Sequence, residues 1–268
     1  MCHSSFKVVP LTTDMAEVTM AKPIELDSGL AKAAVWSGIA LIVAMVVAQG
    51  FLMHFIPAPP PSLSAKELAA RFIERRDEIR LGCLIQCIFW SFWATWCMAI
   101  TIFIRKMERG WPILTYASIA LQGGGYVFFI LIPMTWAVIA FRADTLDPSV
   151  MQVMNDWVWF DFLFTWPPFA VWMVVIGIAI MKDHNIPTLY PRWVAYLNFW
   201  CALLIFPAGL IAFFHDGLFA YNGVGAFWIP FAVFFGWMIA MSVVTLQAIN
   251  RQRARLSATD HQPAASPA

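Results

Sequence analysis

Long apolar runs alternate with short charged segments along this chain, and the alternation predicts its elements. The runs cover roughly residues 33–56, 81–104, 111–141, 157–181, 194–214 and 228–249. Each is near or above the ~20 apolar residues that a helix needs to cross a hydrocarbon core of about 30 Å. The pattern predicts an all-α membrane protein, a six-transmembrane-helix bundle. A polar tail, 1–32, precedes the transmembrane region, 33–249, and a second tail, 250–268, follows it. The first tail lacks the apolar core of a signal peptide. The second, rich in Ala, Ser and Pro from about Ser257, reads as disordered.

Basic residues orient the spans. With the N-terminus cytoplasmic, the inner segments hold Lys7, Lys22, Lys32, Arg105, Lys106, Arg109, Lys182, Arg192, Arg251, Arg253 and Arg255. The outer segments hold Arg142 and five basic residues confined to residues 57–80. Apart from that stretch the asymmetry is strong, so both termini are expected inside. Within the stretch, Pro57, Pro59, Pro60 and Pro61 stop the first span. Ser64 stands three residues before Glu67, the spacing of a capping box, and Leu68, Phe72 and Ile79 share a helical face. A short amphipathic helix on the outer membrane surface is expected there. A solvated extension of the second span is the other reading.

Breakers interrupt the runs at mid-depth: Gly123, Gly124 and Gly125 in the third, Pro167 and Pro168 in the fourth, and Pro207 in the fifth. Each proline removes a backbone donor from its helix. Backbone groups freed at membrane depth must find protein, water or a ligand. A bent bundle lining a cavity is one reading; ordinary kinks and close glycine packing are the other.

Composition narrows the class further. Hydrophobic residues make up 61% of the chain and charged residues 12%. Soluble domains carry about 45–50% and about 25%, so no separate soluble domain fits. The net charge of +1 gives no reason to expect nucleic-acid binding. Cys83, Cys87, Cys97 and Cys201 lie in apolar runs and read as packing residues. No nucleotide loop, nucleophile elbow or CxxC pair appears.

The polar residues inside or beside the spans gather toward the outer ends. They are His54, Gln86, Asp161, Thr165, His215 and Asp216, with Asp156, Tyr221 and Asn222 in adjoining loops. The inner half is expected to hold few comparable groups. Ionisable residues within a span are costly and mark function by default. Asp161 is the strongest of them: Thr165 shares its face, Trp157 is placed to shield it, and His54, His215 or Arg142 would be its partner. A structural hydrogen bond is the alternative role. Trp90, Trp93 and Trp96 form an aromatic stripe, which reads as packing bulk or as a pocket wall for a flat ligand. His54 and His215 with carboxylates suit a metal or haem in chemical type, but no span carries a metal-ligand spacing, so no metal site is assigned. The cofactor stays unknown.

Four further motifs carry a resemblance. They are Ile104-Arg105-Lys106-Met107-Glu108-Arg109, Ala140-Phe141-Arg142 followed by Asn155-Asp156, Tyr190-Pro191-Arg192-Trp193, and Gly217-Leu218-Phe219-Ala220-Tyr221-Asn222-Gly223. Through them the chain resembles a group of bacterial six-span integral membrane proteins to which no chemistry is assigned. The resemblance implies a multi-pass protein of the bacterial plasma membrane and brings no residue roles. The expected function is binding or transport of a small hydrophobic or amphipathic ligand at an outer-leaflet site lined by Asp161, His54, Gln86, Thr165, His215, Asp216, Trp90 and Trp157. The alternatives are an accessory subunit of a larger membrane oxidoreductase or oxygenase complex, and a haem- or metal-containing membrane enzyme. Expected partners are membrane lipids, such a ligand and such a complex.

Overall fold

The computed structural model describes residues 27–260, with side chains to Leu256. Of the tail expected over 1–32, residues 1–26 lie outside the described residues, as does the end of the C-terminal tail, 261–268; from Ser28 the expected tail is already helix. Six helical spans are long and apolar enough to cross a membrane: Ser28–Leu52, Arg76–Met107, Ile113–Phe141, Pro148–Met181, Arg192–Ala212 and Gly217–Leu256. Among the described residues there are no strands.

Helix α1 (Ser28–Met45) starts where Asp27 Oδ1 accepts from the backbone N–H groups of Gly29 and Leu30, and it runs into a π-helical turn, Val46–Leu52. Helix α2 (Ala65–Glu74) opens on the capping box read from the sequence. Glu67 N–H donates to Ser64 Oγ, and Ser64 N–H donates to Glu67 Oε2 at 2.9 Å. Its Leu68, Ala69 and Phe72 are buried, and α2 packs against α6 (Pro148–Phe164). Gln152 of α6 also donates to Leu63 O at 2.9 Å. The second span is α3 (Arg76–Trp90) and α4 (Phe92–Met107), the third α5 (Ile113–Phe141). The fourth is α6 and α7 (Trp166–Met181). The fifth is α8 (Arg192–Leu204) with a 3-10 segment, Phe206–Ala212. After turns at Gly217–Phe219 and Val224–Trp228, α9 (Ile229–Asp260) completes the bundle. It continues helical past residue 250, into the stretch expected as tail.

Helix α1 packs on α4 and α9, α3 on α5, and α7 on both α5 and α8. The centre is aromatic. Trp93 is fully buried and touches rings from four other helices: Trp90, Phe129, Phe169 and Trp172, and Phe234. The stripe Trp90, Trp93 and Trp96 therefore faces the core and not the lipid.

Of the two readings of the glycine triplet, the structure has close packing without a break. Helix α5 runs unbroken through Gly123, Gly124 and Gly125 and past Pro133. Glycine keeps its N–H, and surrendering helical hydrogen bonds in an apolar medium costs more than glycine's weak propensity. Gly125 has a packing role: an added Cβ would lie 2.8 Å from Phe169, so its bareness lets α7 close on α5. The proline breaks are present. The fourth span turns at Thr165, just before Pro167, and α8 gives way to 3-10 geometry around Pro207.

Candidate functional site: an aromatic cavity where the spans break

Ser91 interrupts the second span without a proline nearby. Its hydroxyl donates to Cys87 O at 3.1 Å, and Thr165 does the same to Asp161 O at 2.6 Å. Such back-bonding to the carbonyl four residues earlier bends helices. Pro207 breaks the fifth span, and the last changes from π to α geometry at Ile229.

These four interruptions meet around one cavity of about 60 Å³. Trp90 enters from the end of α3, Leu163 and Trp166 from the two sides of the α6–α7 turn, Ile205 and Ala208 from the α8 break, and Pro230 from the start of α9. Phe129 of α5 and Phe169 of α7 complete the deep wall. Trp90 stacks on Phe129 with centroids 3.9 Å apart, and Phe129 stacks on Phe169 at 4.8 Å. These rings are buried, whereas Phe162, Trp166, Phe231 and Phe235 on the other flank are half-buried. The cavity thus has a rigid inner wall and a looser wall on the bundle's outer side. A water takes ~30 Å³ of liquid, and an apolar cavity of ~150 Å³ admits benzene. The closed space accepts the tip of an apolar group; a larger group requires the half-buried rings to swing outward.

Besides Gln122 Oε1, seven buried side-chain atoms have no hydrogen-bond partner among the described residues, and of their residues Trp90 lines the cavity. They are both amide atoms of Gln49, Gln86 Oε1, Asp161 Oδ2 and the indole Nε1 atoms of Trp90, Trp93 and Trp159. An unsatisfied buried polar group costs about 1–3 kcal/mol. Gln86, Trp90 and Trp93 fall on one face of the second span. Gln49 sits in the π-helical turn that packs on α3, and Gln86 Nε2 reaches only the thioether of Met53 at 3.1 Å. All lie at the centre of the bundle or in the half nearer α2.

The opposite half corrects the expectation that it would be poor in polar groups. Trp172 donates to Ser118 Oγ at 2.7 Å, Trp96 to Ser242 Oγ at 2.9 Å and Trp237 to Asn198 Oδ1 at 2.9 Å. Gln122 donates to Thr101 and Ser118, and the hydroxyls of Tyr190 and Thr245 pair at 2.8 Å. These groups are neutral and mutually bonded, with Gln122 Oε1 the one unpartnered atom. That half is a fixed polar lattice; the α2 half is an aromatic space with spare polar atoms.

The residues singled out from sequence divide accordingly. Gln86 and Trp90 are fully buried on one face, with Trp90 lining the cavity. Asp161 is 8% exposed, and Asp161 and Thr165 flank the cavity residues Phe162 and Leu163. Asp161 makes no ion pair with His54, His215 or Arg142; Arg142 instead lies over the Phe141 ring at 5.3 Å. Trp157 is 63% exposed. His54 is exposed in the loop after the first span, with a φ of 53°. His215 and Asp216 are exposed beyond the fifth span. Asp156 accepts from Tyr221 at 3.2 Å. These three are not brought to the cavity. Among the described residues no group of three His, Cys, Asp or Glu side chains is placed to hold a metal ion. Gln49 and Trp159 were not picked out by sequence reasoning, and Asn155, which accepts from Trp136 at 3.3 Å, entered only within a resemblance motif. An amide inside an apolar run was the available signal for Gln49. No protein-family model, curated protein or solved structure matches this chain.

Proposed function

We propose that this protein lies in a bacterial plasma membrane with both termini cytoplasmic and binds or transports a small hydrophobic or amphipathic ligand at the aromatic cavity. In this orientation the cavity belongs to the outer half of the bundle, and α2 rests at the outer surface. The observation that carries the reading is the convergence of four helix interruptions on one aromatic space. Interrupted helices at membrane depth are tolerated where they surround a cavity, and they form the binding sites of many membrane carriers. The half-buried wall supplies a route from the lipid, which suits an apolar molecule. The spare polar atoms of Trp90, Gln86, Gln49 and Asp161 suit a ligand with a polar end. The deep wall orders the apolar end, because Trp90, Phe129 and Phe169 are locked by stacking.

The test is extraction of small molecules from protein purified in mild detergent out of its native membranes. Ala208 is 2% exposed and lines the cavity, so Ala208→Leu fills it. The wild type should retain an apolar compound that a folded Ala208→Leu protein loses. Equal retention by both, or no compound enriched over an unrelated six-span protein, would overturn the proposal.

A further inference from the structure

We propose that the groove between residues 108–112 and the end of α7 binds the phosphate of an anionic phospholipid, with an acyl chain along Ile113 and Leu114. The groove encloses about 570 Å³ at the end of the bundle opposite α2. Its charged lining is Glu108, Arg109 and Lys182, with His184 beside them.

The acids at this place are already satisfied from within. Glu108 turns its carboxylate to the start of α5 and accepts from Leu114 N–H at 2.6 Å, Thr115 N–H at 3.1 Å and the Thr115 hydroxyl at 2.8 Å. Asp183, next to Lys182, accepts from the Asn185 and Leu189 N–H groups at 2.9 and 2.6 Å and from the Asn185 amide. The neighbouring cations Arg105 and Lys106 bond elsewhere, to Glu108 O and Gln252 Oε1. The side chains of Arg109 and Lys182 have neither an ion pair nor a hydrogen bond among the described residues, and both are exposed. Two positive charges therefore face a groove whose own carboxylates point away from them. Arg binds phosphate through a planar fork and Lys through a compact charge.

The remaining lining selects a lipid over a soluble anion. Ile113 is 70% exposed and Trp111 86% exposed at the rim, and Met107, Leu114 and Ala179 continue the apolar wall. A tryptophan beside basic residues at a span end marks the membrane boundary. A free phosphate would meet the cations and leave this wall bare. A phospholipid covers both, and basic pockets between spans at the membrane boundary take anionic headgroups.

The experiment is native mass spectrometry of the full chain in mild detergent with added phosphatidylglycerol or phosphatidylcholine. The wild type should keep phosphatidylglycerol in preference to phosphatidylcholine. Arg109→Gln with Lys182→Gln should weaken that retention about tenfold. Arg192→Gln with Arg253→Gln, the same charge removed at exposed positions outside the groove, should leave it unchanged. All four positions are exposed, so folding is retained, and thermal melting verifies it. Equal loss in both double variants, loss in neither, or displacement of the lipid by millimolar inorganic phosphate would overturn the inference.

Discussion

At Gly38 an added methyl group would lie 2.1 Å from Cδ1 of Trp96, and that indole is held in place by its 2.9 Å hydrogen bond to Ser242. The close approach of α1 to α4 depends on the missing side chain. Gly38→Ala should lower stability by about 1–3 kcal/mol, the usual range for overpacking. Gly123 has open space around its Cβ position, so Gly123→Ala should raise stability by up to about 1 kcal/mol. Thermal melting in detergent checks the opposite signs. Glu108 makes a pH-dependent contribution. Burial raises its carboxyl, but hydrogen bonds from Leu114 and Thr115 outweigh that, aided by Arg105, and hold it below its ordinary value of 4.5. A carboxylate depressed in the folded state stabilises above its unfolded value and loses that contribution as pH falls through the folded one. Glu108→Gln should therefore cost about 1 kcal/mol at neutral pH, as other N-terminal caps do. The gap to wild type should close on acidification below 4.5. A gap that persists at low pH would assign the loss to packing.

Helix α2 carries the element-scale prediction. It is fixed by the reciprocal bonds of Ser64 and Glu67 and by Phe72, which is fully buried. Ser64→Ala removes the hydroxyl that caps the first turn, so limited proteolysis should cut residues 57–80 faster than in wild type while the spans stay intact. Unchanged cleavage would mean that the Phe72 contact alone holds the helix. This helix was legible in the sequence because its start signal is local and its face has helical spacing. The proline breaks were legible for the same reason, since the missing donor travels with the residue. Ser91 and the π-helical turn at Val46–Leu52 were not. A serine in a span bends it only when its hydroxyl takes the backbone carbonyl, and a π turn depends on what packs against it. The glycine triplet left both a break and close packing open; α5 runs through it unbroken, and Gly125 alone of the three meets Phe169 of α7.

The whole molecule is divided into two kinds of interior. One half bonds its polar side chains to each other across α4, α5, α7, α8 and α9; the half nearer α2 leaves amide and indole atoms spare, the indole of Trp90 among them at the aromatic cavity. Six spans follow from run length alone, and Gln86, Trp90, Asp161 and Thr165 stand out in the sequence as polar or aromatic groups inside apolar runs. The cavity itself was hidden, because it is made by breaks that are far apart in sequence and meet only after packing. The exposed His54, His215 and Asp216 show the converse: equal depth along the chain does not bring side chains together. The proposed function gives the first half a fixed role and the second an adaptable one. Its most direct test is an experimental density map of the protein purified from its native membranes. Under the proposed function, density not belonging to the chain should lie between Trp90, Leu163, Ile205 and Phe234, with Phe162, Trp166, Phe231 or Phe235 turned outward around it. An unfilled space with all four outer rings closed over it, in protein never stripped of its native lipids, would contradict the proposed function.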